Sequence, residues 1–214
     1  MGSKDRRGAR IDRNKKFGTR TPELGYYLII TDTKKTEKNY FEGLRFSIPA
    51  DLKDRLVIKV EKTDTINLVN RAIELVSKDP QYRIPWIVFD RDQVKDFDLI
   101  IEEAEKNNIC VGWSNPCIEI WFFAYFGEMP YITESTDCCS KFAIKFSSIV
   151  KQEYDKSDEH IYNKLVSYGD QDKALKISLK NNKRFDCNQK PSEMCPATTV
   201  NLLVNEILKK INPS

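Results

Sequence analysis

The chain has 214 residues, 40% hydrophobic and 31% charged, with a net charge of +3. That length gives one generous domain, or one domain with a sizeable insertion, and no apolar run approaches the roughly 18 residues of a membrane-spanning helix. The first residues are polar and basic and lack the apolar core of a signal peptide. The six cysteines are therefore read as reduced thiols in a cytoplasm, with no membrane partner.

Charge is unevenly spread. Residues 1–20 carry Lys4, Arg6, Arg7, Arg10, Arg13, Lys15, Lys16 and Arg20 against Asp5 and Asp12, which is +6 and leaves −3 for the rest. Few apolar residues occur there, so residues 1–22 are expected to be a disordered arm. A basic arm on a slightly acidic body points to the phosphate backbone of DNA or RNA, or to a ribonucleoprotein. A solubilising tail has the same composition.

Tyr26 to Thr31 reads as a first strand, ended by Asp32. Thr36 to Leu44 reads as a helix with Thr36 as N-cap. Leu56 to Val60 is a second strand. Asp64 or Thr65 then caps a helix whose apolar positions are Ile66, Val69, Ile73 and Val76. Trp86-Ile87-Val88-Phe89 is a third strand, covered on both faces. Asp96 or Asp98 opens a helix that buries Leu99, Ile100, Ile101 and Ala104. Ile109 to Trp113 is a fourth strand, and a helix begins near Pro116. The alternation predicts an α/β fold with an open, mostly parallel sheet flanked by helices, over residues 23–130. Residues 131–191 lose that pattern and read as a mainly helical insertion. Residues 192–214 contain a C-terminal helix, Thr198 to Lys210, packing on the core.

Right-handed crossovers place Asp32, Asp90 and Asn115 at one sheet edge, at the carboxyl ends of three strands, where such sheets bind ligands. Asp90-Arg91-Asp92 puts two carboxylates past a buried strand. Carboxylates held together repel, and a hard cation such as Mg²⁺ relieves them. Asp32, Asp90 and Asp92 form a minimal metal set for phosphodiester chemistry, although Asp also caps helices and starts turns after strands. Glu37 either joins that set or answers its helix dipole. Lys34 and Lys35 are candidates for substrate phosphate or for a solvated charge run. Asn115, extended before Pro116, can aim its amide over the sheet edge. Glu119 sits among Ile118, Ile120, Trp121 and Phe122, and a carboxylate there needs a partner.

Cys138-Cys139, Cys187, Cys195 and His160 could in principle hold zinc. No Cys-x₂-Cys pair exists, however, and adjacent cysteines sit awkwardly on one tetrahedral ion. His160, the single histidine, lies in a charged stretch and is expected to be exposed, which argues against a His-based triad. No glycine-rich phosphate loop is present.

Several blocks together resemble the RloB family: Ile29-Ile30-Thr31-Asp32, Lys35-Thr36-Glu37-Lys38-Asn39-Tyr40-Phe41, Phe89-Asp90-Arg91-Asp92, Ser114-Asn115-Pro116-Cys117-Ile118-Glu119-Ile120-Trp121 and Pro196-Ala197-Thr198-Thr199-Val200. The resemblance implies a Toprim-like domain, a place in prokaryotic abortive infection and phage defence, and a partner ATPase. The Toprim pattern is a Glu after the first strand and Asp-x-Asp after a later one. Asp90 and Asp92 match the second part. The family's usual Glu-Gly-Glu-Lys-Thr-Glu is here Asp32-Thr33-Lys34-Lys35-Thr36-Glu37, with a shorter acid, no glycine, and a base in place of an acid.

Two functions follow as expectations. One is an Mg²⁺- or Mn²⁺-dependent nuclease or phosphodiesterase using Asp32, Glu37, Asp90, Asp92 and Glu119, with Lys34, Lys35, Asn115 and the arm on nucleic acid. The alternative is an inactive Toprim-like module that docks on an ATPase or ribonucleoprotein. A weaker option is a sugar-nucleotide transferase, since Asp-x-Asp also binds metal-diphosphates there.

Overall fold

The computed structural model describes residues 25–32, 35–61, 63–78, 83–92 and 94–211. The basic arm, with Arg6, Arg7, Arg10, Arg13, Lys15 and Lys16, and the loop residue Lys34 lie outside the described residues.

Five strands form one sheet: β1 (Tyr26–Thr31), β2 (Leu56–Val60), β3 (Arg83–Asp90), β4 (Cys110–Asn115) and β5 (Ala197–Thr198), in the order β2-β1-β3-β4-β5. The first four are parallel, and β5 pairs antiparallel with β4. Eight α-helices accompany them among the described residues: α1 (Thr36–Ser47), α2 (Leu68–Lys78), α3 (Phe97–Lys106), α4 (Glu119–Tyr125), α5 (Ser135–Val150), α6 (Ile161–Tyr168), α7 (Gln171–Asn182) and α8 (Val200–Ile211). The fold is α/β, a mostly parallel sheet flanked by helices.

Side chains alternate across a strand, and here both faces are buried. Leu28, Ile30, Ile87 and Phe89 pack with α2 and α3 on one face. Tyr27, Ile29, Trp86 and Val88 pack on the other with α1, α4, α5, α6 and α8. The helices between residues 131 and 191 thus share the core of the second face. Tyr40 anchors that core: its hydroxyl meets Tyr125 Oη at 2.8 Å and accepts from Trp121 Nε1 at 2.9 Å. At Gly43 of α1 an added Cβ would lie 2.5 Å from Tyr162 Cβ, so glycine is what lets α6 approach.

Several local expectations are corrected. Thr36 is the first helical residue rather than the cap, because the N-cap is Lys35 and no side chain caps it. In α2 the buried residues are Leu68, Val69 and Ala72, while Ile66 is 50% and Ile73 40% exposed. A 3-10 turn at Thr65–Asn67 precedes the helix and shifts its apolar stripe. In α3 Phe97 takes the core position expected of Leu99, which is 60% exposed. Strand β4 runs on to Asn115. Thr198 belongs to β5 rather than to the last helix, and its hydroxyl donates to the Trp113 carbonyl at 3.1 Å.

Candidate functional site

Strand β3 lies between β1 and β4, so the carboxyl ends of three adjacent strands meet at one rim. Asp90 ends β3, Asp32 follows β1, and the turn after β4 leads to Glu119 at the start of α4. A cleft of about 580 Å³ opens there, lined by Asp32, Lys35, Thr36, Glu37, Thr65, Asp90, Asp92, Val94, Glu119 and Lys156. It brings together the predicted Asp32, Glu37, Asp90, Asp92, Glu119 and Lys35.

Pleat parity decides how each acid enters. Asp90 shares the side of Trp86 and Val88, toward α1 and α4, which carry Glu37 and Glu119. Both glutamates are buried, at 3% and 1% exposure. Burial and the charges of Glu37, Glu119 and, more weakly, Asp32 push the Asp90 carboxyl well above the ordinary carboxylate range, against a hydrogen bond from the Ile118 backbone N–H. Asp90 is half-buried and lines the cleft.

Asp32 has the parity of Leu28 and Ile30, so it leans toward the α2 side. Its Oδ2 accepts from the Thr65 hydroxyl at 2.6 Å. Burial raises its pKa, partly offset by that hydrogen bond. Asp92 is exposed and walls two neighbouring clefts. The inner acid group around Asp90 is thus Glu37 and Glu119, with Asp32 beyond them and Asp92 at the mouth.

Glu119 is the most constrained of the set. Its Oε1 accepts from Tyr154 Oη at 2.9 Å and lies 3.4 Å from Lys156 Nζ. Its Oε2 is buried without a hydrogen-bond partner. Tyr154 and Lys156 come from the loop between α5 and α6. Helix α1 holds that loop: Thr36 Oγ1 donates to the Lys156 carbonyl at 3.3 Å and Asn39 Nδ2 to the Ser157 carbonyl at 3.0 Å. Tyr154 and Lys156 lie more than thirty residues beyond Glu119 in sequence. The apolar surroundings of Glu119 signalled that a partner was needed, but nothing in the spacing pointed to this loop.

Asn115 goes elsewhere. It is buried in β4, and its Nδ2 donates to the carbonyls of Ser192 at 3.1 Å and Pro191 at 3.5 Å. It lines the adjoining cleft of about 350 Å³ rather than the acidic one. Its amide is spent on the chain segment that leads into β5.

Cys187 and His160 are exposed. Cys117, Cys139 and Glu119 gather instead, with their ligand atoms all within 4.8 Å of one another.

The model of the RloB-like protein family matches residues 27–207 of this chain. The chain belongs to the RloB-like family. The match takes in every strand of the sheet except the first residue of β1, and all the acids of the cleft. Family membership suggests a defence-associated protein. No curated protein and no solved structure matches the chain. Among the described residues no helix is long and apolar enough to cross a membrane.

Proposed function

We propose that this RloB-like chain is a divalent-metal-dependent nuclease or phosphodiesterase of a prokaryotic abortive-infection system, built on a Toprim-like domain. The observation that carries the reading is the gathering of Asp90, Glu37 and Glu119 at one cleft, with Asp32 and Asp92 on its wall. The donor set fits a hard cation: it is all carboxylate, and the acids around Asp90 repel one another without an ion. Asp90, Asp92 and Asp32 would hold Mg²⁺ or Mn²⁺, with Glu37 and Glu119 alongside. When bound, such an ion neutralises phosphodiester charge and promotes nucleophile formation.

The chain's own groups supply the rest. Lys35 and Lys156 lie at the cleft and suit the phosphate oxygens of a substrate. Where Asp32 is not itself a metal ligand, its carboxylate, oriented by Thr65 and with its pKa raised by burial, is suited instead to take a proton from an attacking water. The basic arm would track the nucleic-acid backbone. The decisive experiment is cleavage of DNA, RNA and tRNA with Mg²⁺ or Mn²⁺, with and without EDTA. Cleavage that persists in EDTA overturns the reading.

Two observations favour a second reading. Asp32 leans away from Glu37 and Glu119 toward Thr65, and the family's Glu-Gly-Glu is here Asp32-Thr33-Lys34. A catalytically inactive module docking on a partner ATPase or ribonucleoprotein would tolerate both. Isothermal titration that detects no Mg²⁺ or Mn²⁺ binding would favour it.

A further inference from the structure

We infer that Cys117, Cys139 and Glu119 form a second cation site, selective for a thiophilic divalent ion such as Zn²⁺. This inference goes beyond the carboxylate cleft and does not depend on catalysis there.

Cys117 lies in the turn between β4 and α4, and Cys139 lies in the first turns of α5. Their sulfurs are 4.0 Å apart. Two thiolates on one tetrahedral zinc, each about 2.3 Å from the ion, stand about 3.8 Å apart. The observed separation is therefore near that of a ligand pair, and far from the roughly 2.05 Å of a disulfide bond. Both sulfurs and a Glu119 carboxylate oxygen lie within 4.8 Å of one another.

A second, independent observation points to a ligand. Glu119 is 1% exposed and its Oε2 has no hydrogen-bond partner. A buried carboxylate oxygen left bare is costly, and a cation would satisfy it. Two sulfurs and one oxygen select zinc over magnesium, which prefers all-oxygen ligands. Three protein ligands leave a fourth position for water, and the half-buried Cys139 gives access. Binding releases the thiol protons to solvent.

The local positive charge is the side chain of Lys156, which is 53% exposed and whose ammonium stands 3.4 Å from Glu119 Oε1. A long exposed lysine can swing out as an ion enters. Because Glu119 also faces Asp90, zinc in this site would withdraw it from the acidic cleft.

The test uses the full reduced chain, stripped of metal and then dialysed against Zn²⁺ or Co²⁺. One ion per chain is expected by mass spectrometry of the metal content, with sulfur-to-cobalt charge-transfer absorption in the Co²⁺ form. Cys117→Ser and Cys139→Ser should each weaken Zn²⁺ binding by about 100-fold or more, since loss of even an outer partner costs about 10–100-fold. Glu119→Gln should weaken binding yet keep the charge-transfer band. Lys156→Met should strengthen it. Wild-type protein gives a check that needs no variant: Zn²⁺, but not Mg²⁺, should slow alkylation of Cys139 and leave the exposed Cys187 unchanged. Equal alkylation with and without Zn²⁺, or binding that survives the Cys117→Ser/Cys139→Ser pair and falls with Cys187→Ser, overturns the inference.

Discussion

Tyr154 donates its hydroxyl to Glu119 Oε1 at 2.9 Å, tying the loop before α6 to the first residue of α4. This bond fixes one carboxylate oxygen and leaves the other, Oε2, bare and buried. Burial and the Glu119 charge raise the Tyr154 pKa well above its ordinary value, so the hydroxyl stays protonated and remains a donor. Tyr154→Phe should therefore cost about 1–3 kcal/mol, as expected when a buried charged acceptor loses its donor. It should also weaken divalent binding by about 10–100-fold, as for other outer partners of ligands. Thermal melts and isothermal titration measure the two effects separately.

Asp90 predicts a pH dependence with a definite sign. Its folded pKa is raised, first by burial and then by Glu37 and Glu119. The native state therefore holds a proton that the unfolded chain has already released, and stability falls as pH rises. The contribution is fully present below about pH 4, where unfolded Asp titrates, and is lost as pH climbs through the raised folded value. Asp32 is shifted the same way and adds to the effect. Asp90→Asn should flatten the curve of melting temperature against pH and raise the melting temperature at neutral pH. It should also abolish any stabilisation by Mg²⁺ or Mn²⁺. A variant that melts with the wild-type pH profile would contradict this account of the cleft.

Substitution of the Asp-x-Asp pair separates catalysis from folding. Asp90→Ala with Asp92→Ala should lower divalent-dependent cleavage by at least about 100-fold, the penalty of a misplaced reacting group. The circular-dichroism spectrum should be unchanged. Full biological activity in that double variant would favour the docking module instead.

Asn115 predicts the opposite pattern. Its amide serves the carbonyls of Pro191 and Ser192 rather than the cleft. Asn115→Ala should destabilise by about 1–3 kcal/mol by orphaning those carbonyls. Affinity for phosphate-bearing ligands should change little. A large loss of affinity with unchanged stability would restore the phosphate-binding role read from sequence.

Removal of residues 1–22 tests the arm. If it binds nucleic acid, the slope of log affinity against log salt should shrink by roughly 0.9 for each duplex phosphate that the arm had neutralised. An unchanged slope would make the arm a solubilising tail.

The sheet and its rim were legible in residue order alone. Apolar runs such as Ile87-Val88-Phe89 are satisfied by cover on both faces, and their alternation with helices makes the strands parallel. Asp32, Asp90 and the turn to Glu119 then fall at one edge, whatever the details of packing. Which side of the sheet each acid serves was settled only by the packed fold. Asp32 and Asp90 differ in pleat parity, so one leans to Thr65 and the other to Glu37 and Glu119. Packing also commits Asn115 to the approach to β5, a two-residue strand too short to leave a periodic signal. Tyr154 and Lys156 reach Glu119 through a loop held by α1, and Cys117, in the turn before α4, meets Cys139 of α5. Such contacts join residues far apart in the chain, so no local period records them. They exist because the second face of the sheet packs these helices into one core.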